Sequence, residues 1–154
     1  MSELEGVLRR AAEQVFEGLC FLEVDHGARE VPAGWDLVSS VGFEEAGGAR
    51  RGALVLRIHG LEAGDLAESM LGSEEAIDDV LAFDAVGEMT NVMCGSVLSA
   101  YMGARAEFDL RRPTVSRGGH GHGCPSRAHR RVVVGLERGV AQLELHVDHP
   151  GESP

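Results

Sequence analysis

Apolar residues recur at helical spacing at Leu4, Val7, Leu8, Ala11, Val15, Leu19 and Leu22, behind a Ser2/Glu5 pair with capping-box spacing. This predicts an amphipathic helix over residues 3 to about 24. The period then changes. "DLVSSVGF" (36–43) and "GALVLRIH" (52–59) read as two strands joined by "EEAGGARR", a hairpin with Gly47 and Gly48 in its loop. Asp65 and Glu68 open a short helix, "DLAESML", that Gly72 ends, and Ser73 is placed to cap a second long helix over roughly 78–102. Three further strand-like runs follow at 106–116, 130–137 and 140–147, the last two joined by a tight turn at Arg138 and Gly139. This order predicts an α+β fold in which an antiparallel-rich sheet has two long helices packed on one face. Residues 1–148 are expected to form a single domain, and residues 149–154 a flexible tail.

The second long helix has an uncommon polar side. Val86, Met89, Met93, Val97 and Tyr101, joined by Ala82, Ala85, Val92 and Ala100, form its expected buried stripe. Asp84, Glu88, Asn91, Gly95 and Ser99 fall on a different face. Glu88 and Asn91 are separated by about 60° around the axis and about 4.5 Å along it, so one external object could touch both. Asn is a poor residue inside a helix, and Gly87 and Gly95 each cost about 0.5–1 kcal/mol relative to Ala. The combination suggests a surface kept low for a close approach. The alternative is that Glu88 and Asn91 are ordinary solvated residues and the glycines serve packing within the protein.

Composition narrows the partners. The 154 residues include 25 acids and 14 Arg with no Lys, a formal charge of -11. That balance argues against non-specific nucleic-acid binding and against an anionic membrane surface. Residues 105–131 run the other way, with seven Arg against Glu107 and Asp109, a local +5. They read either as a solvated loop with its flanking strands or as a steering patch for an acidic protein partner. Hydrophobic residues make up 44% and aromatics 5%, which predicts an aliphatic core. No apolar run follows a basic start at the N-terminus and no stretch is long enough to span a bilayer, so a cytoplasmic protein is expected.

Other constellations carry less. Cys20 and Cys94 sit in apolar helical surroundings and are expected to be buried hydrophobes, Cys94 pointing inward beside the polar face. His120, His122, Cys124 and His129 could supply zinc ligands, but their spacing matches no standard zinc motif and a flexible loop is expected.

The stretch "GEMTNVMCG" fits an E-x-x-N-x-x-x-G pattern through Glu88, Asn91 and Gly95, and here the chain resembles the CheC/CheX/FliY phosphatases of bacterial chemotaxis. "VFEGLCFLEV", the "VGF … GALVLRI" pair and "RRPTVSRG" resemble the family's first helix, first hairpin and the strand after its catalytic helix, so the likeness spans roughly residues 4–147. A second ExxN is absent from the sequence, which points to the single-motif CheX type. The resemblance implies a CheX/CheC-like fold and a phosphatase acting on the aspartyl phosphate of a CheY-like receiver domain. By the same analogy Glu88 and Asn91 are the catalytic pair, Asn91 orienting water and Glu88 reaching the receiver's lysine. Asp84, Gly87, Gly95 and Ser99 are then candidate partner contacts. The resemblance further implies a homodimer, no cofactor bound by this chain, and Mg²⁺ supplied by the receiver. A non-catalytic adaptor that docks a receiver with the same fold is the alternative.

Overall fold

The computed structural model describes residues 2–72, 77–118 and 129–148. Ser2 caps helix α1 (Glu3–Leu19) by accepting a 3.1 Å hydrogen bond from the Glu5 amide. The helix ends about five residues earlier than its apolar period suggests. Phe21 turns into the left-handed region at φ 56°, and the Cys20 and Leu22 amides both return to the Phe16 carbonyl, a Schellman-type closure. Leu22 is buried beyond that turn, so its apolar character continues the helical pattern after the chain has left the helix.

Among the described residues seven strands follow or interrupt the helices: β1 (Val24–Asp25), β2 (Leu37–Glu45), β3 (Arg51–His59), β4 (Phe108–Leu110), β5 (Thr114–Arg117), β6 (Arg130–Leu136) and β7 (Gly139–Asp148). All pairings are antiparallel, in the order β1-β6-β7-β3-β2-β4, with β5 also on β2. The α+β architecture expected from the sequence is therefore present. β1 has only two residues, too few to show an alternation in sequence. The turn between β6 and β7 is Glu137–Arg138, because Leu136 pairs with Gly139; the sequence reading placed it one residue late.

Helix α2 (Ala63–Leu71) starts two residues before Asp65, with Glu62 as N-cap and Asp65 in a capping box, and ends at Gly72, φ 61°. Asp78 caps helix α3 (Asp79–Met102) through a 2.8 Å bond from the Leu81 amide. Ser73, the expected cap, lies outside the described residues, as do the tail 149–154 and His120, His122 and Cys124. Among the described residues no helix is long and apolar enough to cross a membrane.

The strand expected over 106–116 is two strands with a bulge between them. Between the pairs Ser40↔Thr114 and Phe43↔Leu110, β2 has two residues and the facing segment has three, Arg111, Arg112 and Pro113. Pro113 has no N–H to donate to a ladder, which accounts for the interruption. The Arg111 amide still reaches the Gly42 carbonyl at 2.8 Å.

The core lies between one face of this sheet and the helices. Leu54, Leu56 and Ile58 of β3 alternate inward beside Ala141, Leu143 and Leu145 of β7 and Val132, Val134 and Leu136 of β6. Leu8, Val15, Phe16, Val86, Met89, Met93 and Val97 close the core from α1 and α3. The alternate residues of β3 and β7 form a buried polar group on the opposite face. Glu144 accepts hydrogen bonds from Arg57 Nε at 3.1 Å and from Gln142 Nε2, and contacts His146 Nε2 at 3.0 Å. Burial alone would raise the Glu144 pKa, but the hydrogen bonds of His146, Arg57 and Gln142 and the Arg57 charge prevail and lower it to about 2.

A lowered carboxylate pKa adds stability above the group's unfolded value, and that stability is lost as pH falls through the folded value. Wild type should therefore lose on the order of 3 kcal/mol through Glu144 between about pH 4.5 and pH 2. Glu144→Gln should flatten that part of the profile in denaturant unfolding measured across this range. An unchanged slope would remove Glu144 as its source.

Candidate functional site

Burial extends around most of α3, over Ala82, Ala85, Val86, Gly87, Met89, Thr90, Met93, Cys94, Val97 and Leu98. Val92 and Ala100, expected on the buried stripe, are exposed, and their places are taken by Gly87, Thr90, Cys94 and Leu98. α1, α2 and the sheet all pack against this helix, so a single apolar stripe underestimates its covered arc. What remains open is a narrow strip. Asp84, Glu88 and Ser99 are exposed on it, and Asn91 and Gly95 are half-buried.

Two buried contacts hold the strip in place. Thr90 donates to the Val86 carbonyl at 2.8 Å and shares a 2.7 Å hydrogen bond with Ser39 of β2, so the residue before Asn91 is tied to the sheet. One residue earlier, Met89 Sδ lies 3.4 Å from Cys20 Sγ at the end of α1. A Thr at mid-helix is a mediocre helix former, and its hydroxyl here links helix to sheet.

Asp84, Gly87, Glu88 and Asn91 line one cavity of about 390 Å³ together with Phe83, Arg112, Pro113 and Val115. Gly95 and Ser99 lie along the same helix but outside that lining. The Asn91 Oδ1 is buried and accepts no hydrogen bond among the described residues. An orphaned buried acceptor costs about 1–3 kcal/mol, a cost that a ligand or water donor can remove.

The two glycines have different reasons. A Cβ on Gly87 would meet Pro113 Cβ at 3.1 Å and Val115 Cγ2 at 3.5 Å, so its bareness lets the β4–β5 bulge lie against α3. A Cβ on Gly95 would meet nothing within 4 Å. Internal packing thus explains Gly87, and Gly95 keeps an outer surface low without an internal reason. Cys94 is buried and burial pushes its thiol up to about 12, and Cys20 is pushed up to about 11 in the same way. Neither is a nucleophile at neutral pH.

The Arg-rich segment does not stay together as one patch. Arg130 and Arg131 lie on β6, separated from β2 by β7 and β3. Arg117 pairs with Asp79 of α3 at 2.9 Å and lies over the Phe83 ring at 5.4 Å, while Arg111 pairs with Glu44 of β2 at 3.7 Å; Arg127 lies outside the described residues. The cavity-lining roles of Phe83, Arg112, Pro113 and Val115 were not read from sequence. The one available signal was a proline inside a strand-like run, which marks a bulge or an edge.

The sequence model of the family described as chemotaxis phosphatase CheX matches residues 38–136. A search of curated proteins gives no match. Among solved structures, the chemotaxis protein CheX from Vibrio vulnificus is 21% identical, with a TM-score of 0.70 over 96% of this chain and 97% of that one. CheX from Desulfovibrio desulfuricans is 20% identical, with a TM-score of 0.73 over 96% of this chain and 100% of that one. The CheX chain of a CheX–CheY–BeF3–Mg²⁺ complex from Borrelia burgdorferi is 13% identical, with a TM-score of 0.67 over 94% and 97% of the two chains. At these identities the likeness is one of fold.

Opposite responses to alanine are expected at the two glycines. Gly95→Ala should stabilise the protein by about 0.5–1 kcal/mol, the helix-propensity gain in open space. Gly87→Ala should lose that gain or reverse it against Pro113. Chemical denaturation of the two variants checks this, and an equal gain at both sites would remove the packing role assigned to Gly87.

Proposed function

Because the chain belongs to the CheX chemotaxis phosphatase family, we propose that it hydrolyses the aspartyl phosphate of a CheY-like receiver domain. The observation that carries this reading is that Glu88 and Asn91 line one cavity, with the Asn91 amide oxygen buried and without a partner among the described residues. The Borrelia relative was captured in a complex with CheY, BeF3 and Mg²⁺, which supports a receiver as the partner.

In the proposed reaction the Asn91 carboxamide holds the attacking water by hydrogen bonding. The water oxygen bonds to phosphorus and the phosphorus–oxygen bond to the receiver's aspartate breaks. The carboxylate leaves with the electron pair, inorganic phosphate is released, and the water's protons pass to phosphate and solvent. An acyl phosphate is already activated, so positioning and charge stabilisation suffice and no nucleophile is required of this chain. Glu88 is placed to attract a cation of the receiver, such as its lysine. Asp84, Gly95 and Ser99 extend the contact along the strip, whereas Gly87 is buried against Pro113 and serves packing instead. Mg²⁺ enters as part of the receiver substrate, and the setting is the cytoplasm, where receivers act.

A homodimer is part of the same proposal. On the outer side of β6, β1 pairs only with Gly135 and Leu136 among the described residues, and Arg9 reaches the Val133 carbonyl at 3.4 Å. Among the described residues no other strand pairs with the rest of that side of β6, an edge of the kind that pairs with another chain. Light scattering at micromolar concentration should give twice the chain mass, and a monomer mass refutes the dimer.

Asn91→Ala should leave the fold intact, because a poor helix former is replaced by the best one. Phosphate release from a phosphorylated receiver at saturating Mg²⁺ should nevertheless fall by about 10²–10³. Glu88→Ala should lose mainly receiver affinity. Full activity of Asn91→Ala would dismiss the water-positioning role. A wild type that binds the receiver without accelerating dephosphorylation would make the protein an adaptor.

A further inference from the structure

A regular strand turns successive residues to opposite faces, so one of any two neighbours points away from α3. The β4–β5 bulge breaks that rule, since three residues stand where β2 has two. Arg111 lies over Gly42, its Cδ 3.2 Å from where a Cβ would be, and reaches Glu44. Gly42 is between the inward-facing Val41 and Phe43, so this is the face away from the helices. Arg112 and Pro113, although adjacent, both line the cavity that holds Glu88 and Asn91. Pro113 fits there because Gly87 has no side chain. A bulge beside a site commonly redirects a side chain into it.

The redirected side chain is a cation without a counter-charge. Arg111 pairs with Glu44 and Arg117 with Asp79, whereas Arg112 makes no ion pair or hydrogen bond among the described residues. The cavity otherwise presents two carboxylates, Asp84 and Glu88. Two carboxylates alone would repel an approaching phosphoryl dianion. A guanidinium offers paired N–H donors whose geometry matches phosphoryl oxygens, and such a group stabilises the charge that develops on them during transfer.

We propose that Arg112 contacts the phosphoryl group being removed, as a third functional side chain beside Glu88 and Asn91. This rests on the reading given under Proposed function and adds a group that the E-x-x-N motif does not contain.

The test uses the full chain with a CheY-class receiver domain and Mg²⁺. The receiver is phosphorylated with acetyl phosphate for turnover, or loaded with beryllofluoride as a phosphoryl mimic for binding. Arg112→Ala should lower kcat/KM for phosphate release about ten-fold or more, and Arg112→Lys should recover part of it. Arg112→Ala should also reduce the preference for the beryllofluoride-loaded receiver over the unloaded one. A cation acting only from the rim would slow association with both forms alike and leave that preference intact. Arg112 is exposed, so the alanine variant should keep the wild-type thermal midpoint. Wild-type turnover with an unaffected Arg112→Ala overturns this assignment alone. A wild type that leaves the phosphorylated receiver unhydrolysed overturns the assignment together with the proposed function.

Discussion

The depth at which α3 settles against the β2–β5 side of the sheet determines nearly everything at the candidate site. Thr90 and Ser39 set that depth through a buried hydroxyl–hydroxyl hydrogen bond of 2.7 Å. Gly87 permits it, since Pro113 occupies the space a side chain there would need. With the helix at this depth, Asn91 is half-buried and its amide oxygen has no partner among the described residues, while Glu88 one turn away stays exposed. A helix lifted by the thickness of a methyl group would expose the amide to water and widen the cavity. The chemistry of the strip therefore depends on residues that carry none of it.

The sheet's two faces solve different problems. Towards the helices it presents Leu, Val, Ile and Ala in strict alternation on β3, β6 and β7, and their burial supplies most of the driving force for folding. Away from them it buries Arg57, Gln142, Glu144 and His146. Charges removed from water this thoroughly are tolerated only when paired and hydrogen-bonded, and the Glu144 carboxylate gathers the other three polar groups around itself.

Long periodic elements were legible from sequence because their burial is one-sided. The first helix, the β2–β3 hairpin and the two last strands follow from period alone, with some ends met and others displaced by up to five residues. The displacements have physical causes. Leu22 belongs to the core yet not to a helix, and a two-residue turn leaves its own boundaries ambiguous. Glu88, Asn91 and Gly95 were found together because an amide and a bare position inside a helix are costly choices. Arg112 was not found, since its place depends on a count of residues across two strands, and only paired strands make that count visible. The charge run shows the opposite limit: Arg111, Arg112 and Arg117 lie beside β2, whereas Arg130 and Arg131, near them in sequence, lie on β6 beyond β3 and β7.

The bulge also has a consequence for how such a site can vary. Strand alternation has a phase, and the extra residue between Leu110 and Thr114 shifts it by one step. Deleting a single residue there restores the regular phase, and one of the two side chains now facing the cavity is lost from it. The site's charge can thus be rewritten by an insertion or deletion, with every chemical group at Glu88 and Asn91 unchanged. Chains of this shape can keep the motif intact and still differ in the cation beside it through loop length alone.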